Sequence, residues 1–294
     1  LGELSLPVVP PIEGTSAGAL ERVTGQARLQ LAGRRSGKPT YELLLPPPGE
    51  TIAPERGLAT LPLPSPGDLF LDLEGDPYAL DDGMDYLFGV LEADGATFHA
   101  FWSRDATGEF TAAGERAAFE ATIDFADDRL RNDLDLHVFH FDAYEPTALK
   151  RLMGRYGSRE AEGDHLLRAG VLVDLLRAVR QGLRASVESY SIKKLEIFYG
   201  VERTIDLRDA GSSIVAFEQW LQLGAGERPT DDHLDRIERY NRDDVVSNLR
   251  LRDWLEGLRL ELAEVTGQDV PRPTPREPLV DEAGSEAQQR EAAL

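Results

Sequence analysis

The chain of 294 residues contains no cysteine and only two methionines. The lack of cysteine excludes disulfides and thiolate-based zinc sites, and it fits a reducing compartment. Nor is there an apolar run near the roughly 20 residues that a membrane-spanning helix needs. The N-terminus lacks the basic-then-apolar pattern of a secretory signal. A cytoplasmic protein with no membrane partner is expected, and a start at Leu1 rather than Met reads as a segment of something longer. Cations are scarce as well: 32 Lys and Arg stand against 53 Asp and Glu, a net charge of −21. That opposes polyanion binding over most of the surface, because phosphate contacts dominate affinity for nucleic acid. The deficit is uneven. From Pro146 to Lys194, ten Lys and Arg outnumber five Asp and Glu. The stretch reads either as chance clustering on a solvated face or as one basic face beside an acidic cleft.

What is present is enough apolar residue, 41%, to build a sizeable core. Residues 1–67 read as an appendage and linker: a helical spacing in "AGALERVTGQARLQLAG", a short strand in "TYELLLPPPGE", and a linker in "LPLPSPG". "GRRSGKPT" has the wrong spacing for a phosphate-binding loop and reads as a turn. The main domain spans 68–265. It opens with a strand in "DLFLDLEG", then two strands around an Ala-Asp-Gly turn in "YLFGVLEADGATFHAFW". A helix in "EFTAAGERAAFEATIDFADDRL", a strand in "DLHVFHF" and a helix from about Pro146 follow. "GVLVDLL" is expected as a fifth strand, "RAVRQGLRA" as a helix, and "SYSIKKLEIFYG", "AFEQWLQL" and the long run from Thr230 to Gly267 as further helices. A three-strand meander followed by alternating helices and strands makes an α/β fold with a mixed sheet flanked by helices and an N-terminal helical/strand appendage. Residues 266–294, rich in Pro, Glu and small residues, read as a flexible tail or linker.

The chemistry starts at "DLFLDLEGDPY" (Asp68 to Tyr78). Asp72 and Glu74 interrupt an apolar strand, and carboxylates are seldom buried there without a partner. Two positions apart, they project from one face. Gly75 and Pro77 end the strand at once, which puts the pair at its C-terminal end, where α/β sheets place their sites. Such a pair is either a solvated strand end or a holder of a hard cation such as Mg²⁺ or Mn²⁺. Asp142 and Glu145 stand at the next strand-to-helix junction, as ligands or as groups favouring the helix N-terminus. Tyr240 and Asp244 are four apart on a helix and share a face, with Asp243 as the neighbouring alternative. Asp174, in "VLVDLL", is either a further site residue or a helix cap.

The order of these groups resembles the DEDD exonucleases of the ribonuclease H-like superfamily, in the subgroup with a motif-III tyrosine. The chain is more similar still to the ribonuclease H-like domain of bacterial RecB-like nuclease/helicase fusion proteins of the YprB type. "LFLDLEGDPY", "YLFGV", "HFDAYEPTALKRLM", "VDLLRAVRQGLRASVESYSIKKLE" and "YNRDDVVSNLRLRDWLE" carry the resemblance, over roughly Asp68 to Leu255. It implies a ribonuclease H-like sheet and 3′-to-5′ hydrolysis of phosphodiester bonds. It also implies two Mg²⁺ or Mn²⁺ ions and a nucleic acid, DNA or RNA, entering as a single-stranded 3′ end. Helicase and RecB-type nuclease domains are implied in the same chain.

Residue by residue, Asp72 and Glu74 match motif I, and Tyr240 and Asp244 match motif III. In motif II, usually N-G-x-x-F-D, His140 takes the Asn place, Tyr144 the Phe place and Glu145 the Asp place, so the last ligand is one methylene longer. Asp72, Glu74, Glu145 and Asp244 are thus the implied metal ligands, with Tyr240 orienting water. Arg177, Arg180, Lys193 and Lys194, together with Arg151 and Arg155, are candidates for the phosphate backbone. Two rival readings are a binding module that guides a strand without cutting it, and a phosphatase with Asp72 as nucleophile.

Overall fold

A computed structural model describes residues 14–80, 82–205, 212–222 and 232–274. The expected tail therefore lies largely outside the described residues, from 275 onward, as do residues 1–13 of the appendage.

The heart of the fold is a five-stranded mixed sheet, whose strands lie in the order Phe98–Trp102, Met84–Glu92, Leu69–Asp76, Val138–His140 and Leu172–Asp174. Strands β2 (Leu69–Asp76), β3 (Met84–Glu92) and β4 (Phe98–Trp102) form the antiparallel meander. β5 (Val138–His140) runs parallel beside β2, and β6 (Leu172–Asp174) runs parallel beside β5. β2 is therefore central, and its side chains alternate between two cores as a period of two requires. Leu69, Leu71 and Leu73 enter one core, which α2 (Ala112–Asn132), α3 (Tyr144–Tyr156) and α4 (Glu160–Arg168) cover with Phe119, Ile123, Leu149 and Leu166. Phe70 enters the other core with Val245, Leu251 and Leu255 of the 35-residue helix α8 (Asp232–Thr266). Asp72 and Glu74 continue the Phe70 face, so the pattern that buries Phe70 also aims both acids toward α8.

A third cluster joins Tyr86 and Leu87 of β3 to Phe217 and Trp220 of α7 (Ser212–Gln222) and to Leu234 and Ile237 of α8. It anchors the first turns of α8 over the sheet. Burying each large apolar side chain in these cores contributes roughly 1.5–3 kcal/mol before entropy is counted.

Two expectations differ from the structure. The fifth strand stops at Asp174, whose side chain accepts from Arg177 N at 3.1 Å and caps α5 (Leu175–Gly182). The helix expected through Ala185 ends at Gly182, and Leu183–Ala185 forms β7 instead. β7 pairs antiparallel with β1 (Tyr41–Leu43), burying Leu183 and Ala185 and leaving Arg184 half-buried beside Glu42. Tertiary pairing here overrides a helical local pattern. α1 (Ala17–Ser36) lies against β7, its Gln26 donating to Ala185 O and its Gln30 to Val187 O, both at 2.8 Å. α1 runs through Ser36, so the first half of "GRRSGKPT" is helix rather than the expected turn, and the chain turns only at the C-cap Gly37, at φ 67°.

Candidate metal centre and nucleic-acid cleft

Three elements bring acids together. β2 supplies Asp72 and Glu74, and α8 supplies Asp244. One carboxylate oxygen from each lies within 4.8 Å of the others. The close approach of α8 depends on Gly89, the cross-strand partner of Asp72. Any Cβ at Gly89 would collide with the Asn241 side chain. With that space open, Asn241 Nδ2 donates to Asp72 Oδ2 at 2.8 Å and to Asp72 O at 3.1 Å. Asn241 itself is fully buried, so it fixes the aspartate from behind.

Crowding shows in the acid strengths. Asp72 is pushed up by burial first, then by Asp244, Glu74 and Glu145, while Lys193 pulls it down. Burial likewise raises Asp244, against the opposing pull of Arg203. Three hard oxygen donors that repel one another are the donor set that Mg²⁺ or Mn²⁺ takes. The residues present thus fit a divalent cation held by Asp72, Glu74 and Asp244.

Glu145 lies close by, at the first turn of α3, but it is not one of the three clustered acids. It is buried, and its Oε2 sits 3.5 Å from His140 Nδ1. That Oε2 makes no hydrogen bond among the described residues. Burial raises its carboxyl, and His140 opposes the rise. The neighbouring Tyr144 donates to Asp85 Oδ1 at 2.7 Å, an arrangement that needs Gly75, because a Cβ there would strike both groups.

Tyr240 stands one turn before Asp244. Lys193, from α6 (Ile192–Tyr199), donates to its Oη and lies 4.4 Å from the ring centroid. Burial, then Asp244, Glu74 and Asp72, push the Tyr240 hydroxyl up, so it stays protonated at neutral pH. With Lys193 donating to its oxygen, its own proton is left to be given to whatever occupies the cleft.

A cleft of about 480 Å³ opens onto these groups, lined by Asp72, Asp142, Arg180, Lys193, Tyr240 and Asp244 among others. A larger groove, about 810 Å³, lies near Leu63, Leu134 and Arg272. None of the three clustered acids lines it, whereas Asp72 and Asp244 line the smaller cleft.

The expected cations divide. Lys193 and Arg180 line the cleft. Arg177 lines the other groove and donates to Glu55 O at 3.3 Å, and Lys194 lies exposed 3.9 Å from Glu188. Arg151 and Arg155 pair internally with Asp85 and Glu115. Of the alternative acids, Asp142 lines the cleft, Asp174 is a helix cap, and Asp243 accepts from Thr204 N at 2.8 Å. Sequence reasoning missed Asn241 and Gly89, though both stand inside the quoted phrases "YNRDD" and "YLFGV". It also missed Arg203, which no motif marks.

The sequence model of one family, described as the RNase H superfamily, matches residues 69–256. The chain belongs to the RNase H superfamily. Its five-stranded mixed sheet flanked by helices is consistent with an RNase H-like fold, and the match spans every residue of the cleft described above. No curated protein matches it. RNase H superfamily domains act on nucleic acids, and their nucleases use divalent metals, in keeping with the carboxylate cluster. Among the described residues no helix is long and apolar enough to cross a membrane.

Proposed function

We propose that the chain is a divalent-metal-dependent nuclease that removes nucleotides in the 3′-to-5′ direction, as one domain of a nuclease/helicase protein. The observation that carries this reading is the convergence of Asp72, Glu74 and Asp244 within 4.8 Å. Mg²⁺ or Mn²⁺ bound there would activate a water and offset charge on the departing 3′ oxygen.

The protein's own groups have distinct roles in this reading. Asn241 fixes Asp72, and the collision space at Gly89 lets α8 come close enough to complete the site. Tyr240 donates a hydrogen bond to the attacking water or to a phosphate oxygen, its proton direction set by Lys193. Lys193 and Arg180 meet the phosphate backbone at the cleft, so the few cations needed are local despite the net charge of −21. Glu145 completes the acid set only if its side chain turns from His140.

That last feature supports a second reading, a strand-guiding module with weak or no cleavage. One assay separates the two. Wild type and Asp72→Asn are incubated with end-labelled single strands, blocked at the 3′ or the 5′ end, with Mg²⁺ or Mn²⁺. The nuclease reading expects mononucleotide release from free 3′ ends, stopped by a 3′ block and by Asp72→Asn. Binding without release under either metal would leave the guiding module.

A further inference from the structure

Arg203 lies in the loop that follows α6, with its side chain 6% exposed. A buried guanidinium must be paired, and this one has two acidic partners. Its Nε and Nη2 fork onto Glu196, at 3.0 and 2.5 Å to Oε1. The same Nη2 reaches Asp244 Oδ1 at 2.6 Å. The next residues grip the neighbouring acid: Thr204 N and Ile205 N donate to Asp243 Oδ2 at 2.8 and 3.3 Å. The loop thus holds α8 at two successive residues where α8 enters the cleft.

We infer that Arg203 is the positioning residue that fixes Asp244 as a one-oxygen ligand and thereby sets the divalent-metal affinity of the cleft. This rests on the metal-dependent reading above. With both acids ionised, Glu196, Arg203 and Asp244 carry one net negative charge. Arg203 therefore orients Asp244 without cancelling the charge that attracts a cation. Its planar fork is held by Glu196, so the direction of the bond to Oδ1 is fixed. Oδ1 already accepts the Arg203 bond, which leaves Oδ2 the freer oxygen for the cation. A carboxylate restricted to one oxygen suits the compact octahedral shell of Mg²⁺, whereas two-oxygen binding suits the larger Ca²⁺. Arg203 also leaves its buried Nη1 without a partner among the described residues.

The test is Mn²⁺ binding without substrate, followed by the electron paramagnetic resonance of free Mn²⁺, with Ca²⁺ as competitor. Partners that orient metal ligands are worth about 10- to 100-fold in affinity. Arg203→Met should weaken Mn²⁺ by about that factor and favour Ca²⁺, with Arg203→Lys between it and wild type. Glu196→Gln, which takes the anchor and the counter-charge from Arg203, should weaken Mn²⁺ in the same direction. Thermal melting in EDTA reports whether each variant folds; if Arg203→Met does not, Arg203→Lys and Glu196→Gln carry the test. Unchanged or tighter Mn²⁺ in the folded variants would overturn the positioning role and make Arg203 a structural pair or a competing cation. A wild-type protein that binds no Mn²⁺ would instead overturn the metal reading, and this inference with it.

Discussion

Asp72 and Glu74 were readable as a pair because a strand has a period of two, and Phe70 reveals which face they share. Tyr240 and Asp244 were readable because four residues make about one helical turn. What joins these acids is less visible, because it depends on small groups. Gly89 makes room, and Asn241 uses it. Gly89→Ala should cost about 1–3 kcal/mol by overpacking and should free Asp72 from Asn241. Denaturant melts would show the loss, and unchanged stability would contradict the packing account. Tyr240→Phe keeps the ring but removes the donated proton. Single-turnover cleavage should fall about 10²-fold with little change in strand affinity. A fall in affinity alone would make Tyr240 a binding residue instead. The longer acid at Glu145 was visible, but its turn toward His140 was not, because that depends on a contact formed only when α3 docks beside β5.

At the scale of elements, the meander, the long α2 and the long α8 each carry a pattern strong enough to be seen locally. β7 does not. Leu183–Ala185 continues a helical spacing, and its partner β1 is some 140 residues earlier, so no local signal announces the pairing. The pairing has a functional consequence, because the segment just after β7 is one wall of the cleft. Tyr190 lines that cleft, and its hydroxyl donates to Gln26 of α1 at 2.8 Å while accepting from Ala185 N at 3.0 Å. α1 and β1 therefore brace the wall that presents Lys193. Leu183→Ala, at a side chain 1% exposed, should cost about 2–5 kcal/mol. It should also raise hydrogen exchange in residues 186–193 beyond the rest of the sheet. Exchange confined to β7 itself would deny the bracing role.

For the whole molecule, the relevant quantity is where the negative charge is concentrated. Burial raises Asp72, Glu145 and Asp244 in the fold. An acid raised on folding holds its proton more tightly in the folded state. Its stabilising contribution is complete below the ordinary carboxylate value, about 4, and is lost as pH rises through the raised value. Asp94, held down to about 2 by Thr97 and Ala96, acts in the opposite sense at lower pH. In EDTA, Asp72→Asn should therefore gain in melting temperature relative to wild type as pH rises from about 4 toward neutrality. Mn²⁺ should close that gap by stabilising only the wild type. A gap that does not vary with pH would mean that Asp72 is not strained by its neighbours.

If Asp72, Glu74 and Asp244 hold a catalytic cation, crystals soaked in Mn²⁺ will reveal it by anomalous scattering. An ion is expected within about 2.1 Å of an oxygen from each of the three, the spacing of a compact octahedral shell. A second ion is expected about 4 Å away, on the Glu145 side. Crystals in which Mn²⁺ scatters elsewhere while all three carboxylates stay bare would contradict it.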